Sequence, residues 1–363
     1  MSTLAERITA FVRSGEGDFE ALALEAFAFQ YERIAPLRRL CQARDVAPGS
    51  VSSWREIPPV PAAAFRSLGV GVAEAGAAGT ETFRSSGTTQ GEAARSTHVQ
   101  AYPDLYRATL DAALPRFCPL VGTRPSMLAL VPSREQAPDS SLAFMIDHVL
   151  HTWGGPGSTW AFGSRGVDAR AARSWLGARQ RERRPAMVFA TAFALADWLD
   201  SLDKMDLRFR LPAGSAVFET GGYKGRRSAV EPEHQAARLQ ARLGIAPDAV
   251  LREYGMTELT SQLYTRGLVG GDPRLYVAPP WVRVRVLDPE SLAERPAGEP
   301  GLVAILDLAN LGSAVHLLTE DLGAMEPGGP GEPHGLRLLG RAAGAELRGC
   351  SLTVEELASA GVS

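Results

Sequence analysis

Four short apolar runs limit what this chain can fold into: 126–131 (SMLALV), 186–190 (AMVFA), 216–218 (AVF) and 249–253 (AVLRE). Each is bounded by Gly, Pro or polar residues, so each reads as a short buried strand. Stretches of mixed apolar and charged residues at helical spacing lie between them, at 140–153, 192–202 and 227–243. A serine pair, Ser140 and Ser141, can cap the first helix, and Gly154 and Gly155 can stop it. Strands alternating with helices predict an α/β fold, with parallel or mixed sheets covered by helices. Two more helices are expected, over 18–45 and over 102–114, the second closed by Pro115. Ile57-Pro58-Pro59-Val60-Pro61 must be extended, because each proline biases its predecessor away from helix. The pattern changes after residue 275. Residues 281–287 alternate Val with Arg, and 301–306 read as another strand, which predicts a smaller β-rich subdomain. The expected organisation is a helical N-terminus and α/β core over 1–275, a β-rich subdomain of the same unit over 276–340, and a short tail over 341–363.

Composition excludes several classes. Lys plus Arg is 38 and Asp plus Glu is 41, a formal net charge of -3, so nothing calls for nucleic acid or an anionic membrane as partner. The three cysteines, Cys41, Cys118 and Cys350, are too few and too scattered for a disulfide framework or a zinc site. A reducing cytoplasm fits that usage. No apolar run is long enough for a signal peptide or a membrane span.

One polar stretch stands apart, Phe83-Arg84-Ser85-Ser86-Gly87-Thr88-Thr89-Gln90-Gly91. Alone it has two readings: a solvated turn, or a loop that wraps a phosphate chain with backbone and hydroxyl donors. No lysine follows its last glycine, so it is not a Walker A loop. Later segments change its meaning. Arg252-Glu253-Tyr254-Gly255-Met256-Thr257-Glu258 follows a strand, as an active-site loop would. Thr319-Glu320-Asp321-Leu322-Gly323 and Leu339-Gly340-Arg341 come after it.

This order of motifs resembles the adenylate-forming superfamily of acyl-CoA synthetases, luciferases and peptide-synthetase adenylation domains. The resemblance runs over about residues 84–350 and implies that superfamily's large N-terminal α/β domain. It also implies ATP-dependent joining of a carboxylate to the α-phosphate, with Mg²⁺ and fixed donors offsetting the charge of two anions. Ser85, Ser86, Thr88 and Thr89, with the amides around Gly87 and Gly91, would then hold the β- and γ-phosphates. Thr257 would hold the α-phosphate, Glu258 would coordinate Mg²⁺, and Tyr254, beside Gly255, would stack near adenine. Gly221 and Gly222 would line the adenine and acyl pocket. Asp321 would accept from the ribose hydroxyls, with Arg341 helping. Where the superfamily usually has a lysine after the loop, this chain has Glu92-Ala93-Ala94-Arg95, which makes Arg95 the candidate substitute. His148, His151 and Trp153 on the 140–153 helix are read as core before pocket lining.

Only 22 residues follow Arg341, and Ala342-Ala343-Gly344 replaces the superfamily's hinge aspartate, so its mobile C-terminal domain and that domain's catalytic lysine are expected to be absent. The short acyl-protein synthetases of the fatty acid reductase system behind bacterial bioluminescence are similar in this respect. Their Ile-Pro-x-x-Pro segment and acyl-accepting cysteine correspond to Ile57–Pro61 and to Cys350, 13 residues from the end. Arg348 and Arg341 would favour the thiolate, the nucleophilic form. The expectation is therefore an AMP-forming acid ligase that activates a carboxylic acid, by the resemblance a fatty acid, and passes the acyl group to Cys350 and then to a protein such as an acyl reductase. Transfer to CoA, a carrier protein or another enzyme's substrate stays open. So does a non-catalytic nucleotide-binding subunit.

Overall fold

The computed structural model of the protein describes residues 2–73, 76–85, 95–221, 232–329 and 331–342. The chain opens with α1 (Leu4–Ser14), α2 (Phe19–Arg33) and α3 (Ala35–Ala43), then β1 (Val60–Pro61). Thr3 and Glu6 exchange side-chain and backbone hydrogen bonds at the start of α1, and Asp18 caps α2 by accepting from the Ala21 N–H. Sequence reading missed α1 and ran α2 and α3 together. The break falls at Ile34 because Pro36 is tolerated only in a first turn, so a new helix begins there.

Next come a hairpin of β2 (Glu81–Arg84) and β3 (Thr97–Gln100), then α4 (Pro103–Phe117). Helix α4 runs past Pro115 instead of stopping at it. Pro115 lies in the last turn, where only one helical bond is lost. The α/β section follows: β4 (Ser126–Leu130), α5 (Ser141–Trp153), the two-residue strands β5 (Thr159–Trp160), β6 (Phe162–Gly163) and β7 (Gly166–Val167), and α6 (Ala169–Arg181). It continues with β8 (Ala186–Thr191), α7 (Ala192–Lys204), β9 (Ala216–Thr220), α8 (Pro232–Leu243) and β10 (Val250–Tyr254). The rest is β: β11 (Leu263–Thr265), β12 (Tyr276–Val277), β13 (Val282–Leu287), β14 (Gly301–Asp307), β15 (His316–Glu326) and β16 (Gly335–Arg341).

Among the described residues, twelve strands form one mixed sheet, in the order β13-β14-β15-β16-β12-β11-β10-β9-β8-β4-β5, with β1 beside β15. Neighbours from β5 to β10 are parallel, and from β10 to β13 they are antiparallel. The fold is therefore α/β, as the alternation predicts. Alternate residues of the parallel strands feed two cores. Met127, Ala129, Phe189, Phe218 and Leu251 face the side with α4, α5 and the N-terminal helices; Leu128, Leu130, Val188, Val217 and Val250 face α6, α7 and α8. Both faces are dry, so the central strands are apolar until their last residues. Those last residues are polar: Thr191 on β8, Glu219 and Thr220 on β9, Glu253 and Tyr254 on β10.

The N-terminal helices are tied to the far half of the chain. Gln30 on α2 is fully buried; its Nε2 donates to the carbonyls of Asn310 and Leu311, and its Oε1 accepts from the Val315 N–H.

Candidate active site

Open parallel sheets bind ligands beyond the carboxyl ends of their strands. Here that edge carries the polar strand ends, and the YGMTE turn begins there, where β10 meets the first antiparallel neighbour. Tyr254 is buried, and its hydroxyl donates to Asp321 Oδ2 at 2.8 Å. Burial, together with the negative charge of Asp321, pushes the Tyr254 phenol well above its ordinary range. Asp321 on β15 sits opposite Arg341 on β16 in the strand register, with Arg341 Nε 3.4 Å from Asp321 Oδ1. Arg341 Nη1 lies 3.5 Å from Glu320 Oε2, an oxygen that also accepts from Arg66 at 2.8 Å. The last helical turn before β15, Leu308–Gly312, and β14 support the same corner.

The hydroxyl-rich loop meets this corner through its hairpin. Phe83 on β2 packs edge-on against Tyr106 of α4 and Phe144 of α5. At the loop's foot the Ser85 N–H donates to the Ser96 carbonyl, and Ser85 Oγ accepts from the Ser96 N–H at 2.8 Å. On β3, fully buried His98 donates through Nδ1 to the Thr257 carbonyl at 2.7 Å. Burial holds that imidazole down at about 4, so it is neutral and fixed as a donor. Gln100, also on β3, donates to Thr260 Oγ1 at 2.7 Å.

Beneath the turn lies a polar network. Asp307 is fully buried and accepts from the Thr260, Ser261 and Ala309 N–H groups and from Ser261 Oγ. Burial pushes its carboxyl up to about 6 against those four donors. Asn310 Nδ2 donates to the Glu258 carbonyl at 2.8 Å and to the Ala314 carbonyl, and its Oδ1 accepts from Thr260 Oγ1. Glu258 itself is 5% exposed.

Of the residues singled out in the sequence, the structure brings Tyr254, Gly255, Thr257, Glu258, Asp321 and Arg341 to one corner and sets Ser85 at the neck of the loop hairpin. Gly221 ends β9 in the left-handed region, with φ 72°. Arg95 is engaged at the loop's foot, donating through Nε to the Ser85 carbonyl at 2.6 Å and through Nη2 to Asp139 at 3.1 Å. Ser86, Gly87, Thr88, Thr89, Gly91, Gly222 and Cys350 lie outside the described residues. The core reading of the α5 histidines fails: His148 Nε2 pairs with Asp111 at 2.7 Å, and the His151 side chain is 72% exposed. Sequence reasoning missed His98, Gln100, Asp307 and Asn310. The one available signal was the pair of polar residues inside an otherwise apolar run, 301–312 (GLVAILDLANLG). Among the described residues no cluster of three His, Cys, Asp or Glu could hold a metal, and no helix is long and apolar enough to cross a membrane.

The sheet order, the strand-end site and the turn between parallel and antiparallel halves define the fold of adenylate-forming ligases. An open conformation of 2-hydroxyisobutyryl-CoA ligase in complex with 2-HIB-AMP and CoA is similar, with TM-score 0.63 and 15% identity over 89% of this chain and 69% of that one. The same ligase in its postadenylation state gives TM-score 0.63 at 16% identity, over 89% and 67%. ATP-bound MatB from Rhodopseudomonas palustris gives TM-score 0.49 at 18% identity, over 72% and 47%, so the chain matches about half of MatB's length. No curated protein matches the sequence. Within that fold, residues 180–358 match the family described as acyl-protein synthetase, LuxE, so the resemblance to the acyl-protein synthetases is borne out.

Proposed function

We propose that the protein is an AMP-forming acid ligase: it joins a carboxylic acid to the α-phosphate of ATP, releases pyrophosphate, and passes the acyl group through Cys350 to a protein acceptor. The observation that carries this reading is the convergence of Tyr254, Asp321 and Arg341 with the turn holding Thr257 and Glu258. The loop hairpin is linked to that turn through His98. The family match and the fold add support.

In the first step an acid oxygen attacks the α-phosphorus, and the bond to the β-phosphate oxygen breaks. Asp321 accepts from the ribose hydroxyls, and Arg341 holds that carboxylate in place. Tyr254 stacks near the adenine, and Gly221 and Gly222 line the adenine and acyl pocket. The Thr257 hydroxyl reaches the α-phosphate, while Ser85, Ser86, Thr88 and Thr89 with the amides of Gly87 and Gly91 grip the β- and γ-phosphates. Arg95 braces the neck of that loop through the Ser85 carbonyl and brings a positive charge to its foot. Glu258 suits Mg²⁺, which is commonly held by one or two carboxylates plus substrate phosphates. When bound, the ion would offset charge between the phosphates. In the second step the Cys350 thiolate attacks the acyl carbonyl, and AMP leaves with the bonding pair. A fatty acid as substrate, a reductase as acceptor and a cytoplasmic setting belong to this reading through the family alone.

Exchange of labelled pyrophosphate into ATP, run with a panel of fatty and aromatic acids, tests the first step. Strong acid-dependent exchange is expected; none with any acid would favour a non-catalytic nucleotide-binding subunit. Labelled acid plus ATP tests the second. Cys350→Ala should keep exchange and lose covalent label; a variant that still becomes acylated would overturn Cys350 as the acceptor, and a wild type that exchanges but never becomes labelled would point instead to CoA or a carrier.

A further inference from the structure

A buried carboxyl lies under the turn that carries Thr257 and Glu258. Glu253, the last residue of β10 but one, is 5% exposed. Its Oε2 accepts from the hydroxyl of Thr220, its register partner on β9. Its Oε1 occupies the space below Gly255: a Cβ placed on Gly255 would come within 2.1 Å of that oxygen and 3.4 Å of Gln262 Cγ. The turn can close over the carboxyl only because residue 255 lacks a side chain. The groups facing Glu253 from each packed element are Tyr106 on α4, Tyr264 on β11, Tyr276 on β12 and Thr220 on β9, and the three phenols are pushed upward in part by its charge. Nearby Glu219 on β9 is faced by Arg252, 3.8 Å away. Among the described residues, no cation offsets a charge on Glu253.

We propose that Glu253 is a positioning residue for adenylation, bracing the Gly255 turn from below as the uncharged acid. The inference rests on the reading that Thr257 and Glu258 meet ATP. Burial pushes the Glu253 carboxyl up to about 7, with the Thr220 hydroxyl pulling the other way. Ionisation above that pH leaves a charge with no partner in a dry strand end. It also adds a third negative group beneath the place where a carboxylate and a triphosphate must meet.

The sign follows from proton linkage. The unfolded carboxyl loses its proton near pH 4.3, whereas the folded one keeps it to about 7. The folded state binds more protons over that window, so stability falls as pH rises through it. Glu253→Gln keeps the shape and cannot ionise. Its melting temperature relative to wild type should therefore climb from pH 5 to about pH 7 and level off above it. Pyrophosphate exchange should decline in the wild type by about tenfold per pH unit beyond the turnover, while Glu253→Gln lacks that alkaline decline. Thr220→Val provides a second variant: removing the donor should move the wild-type decline to higher pH. A melting difference that does not change with pH, or an alkaline decline shared by all three proteins, overturns the proposal. Absence of exchange in the wild type at every pH would instead remove the adenylation reading and the positioning role with it, while the melting difference would still report whether Glu253 is protonated.

Discussion

Tyr254 and Asp321 make the most direct test at the scale of single residues. A hydrogen bond to a charged group contributes about 1.5–3 kcal/mol. Tyr254→Phe removes the hydroxyl that orients Asp321 Oδ2. Its KM for ATP in pyrophosphate exchange should rise by about tenfold, where 1.4 kcal/mol corresponds to a factor of ten. Asp321→Ala should be worse in two ways. It removes the ribose acceptor, and it takes from the buried Tyr254 hydroxyl the carboxylate it donates to, which costs about 1–3 kcal/mol of stability in urea unfolding. These residues were legible because each sits in a short motif whose order along the chain carries chemistry. His98 and Asn310 were not. His98 is 159 positions from Thr257, and Asn310 is 52 from Glu258; nothing in local spacing links such partners. They become visible only when the fold brings β3 and the end of β14 against the turn.

At the scale of elements, the sequence showed which segments form and misjudged how they end. The parallel strands were plain, since a strand buried on both faces is an unbroken apolar run. The stop of α5 was expected at Gly154 and Gly155 because glycine turns a chain easily. Helix α5 does end there, but Gly154 has φ -62°, and the need for glycine is one of space: a Cβ on Gly155 would lie 2.0 Å from the Arg124 carbonyl oxygen. Helix α2 illustrates what periodicity cannot show. Its one fully buried polar residue, Gln30, satisfies three backbone groups at the foot of β15. Gln30→Ala leaves the Leu311 carbonyl and the Val315 N–H buried without partners, while the Asn310 carbonyl keeps the Ser313 N–H, so it should cost about 3 kcal/mol by urea unfolding. The same variant should leave KM for ATP within about twofold of wild type, since Gln30 reaches the site only through Asn310. Gly255→Ala should do the reverse. Its Cβ must displace the Glu253 carboxyl, so exchange should fall by at least about a hundredfold, with circular dichroism unchanged.

For the whole molecule, the three thiols offer a count that separates packing from chemistry. Cys41 lies under the N-terminal helices and Cys118 at the end of α4, both buried and unpaired. Burial pushes each thiol up to about 12, so at pH 8 neither offers the thiolate that reacts with a disulfide reagent. Cys118 lies against Met187 of β8, and Cys41, on α3, stays shielded only while the N-terminal helices remain docked on the sheet. If Cys350 is the acyl acceptor, the native protein should titrate one thiol and the denatured protein three. Cys350→Ala should titrate none when native. Incubation with a substrate acid and ATP should abolish the single native thiol, and hydroxylamine, which cleaves thioesters, should restore it. A native count above one would mean that the helical layer does not stay closed over Cys41. A native thiol untouched by acid and ATP, in a protein that exchanges pyrophosphate, would leave the adenylate to a different acceptor.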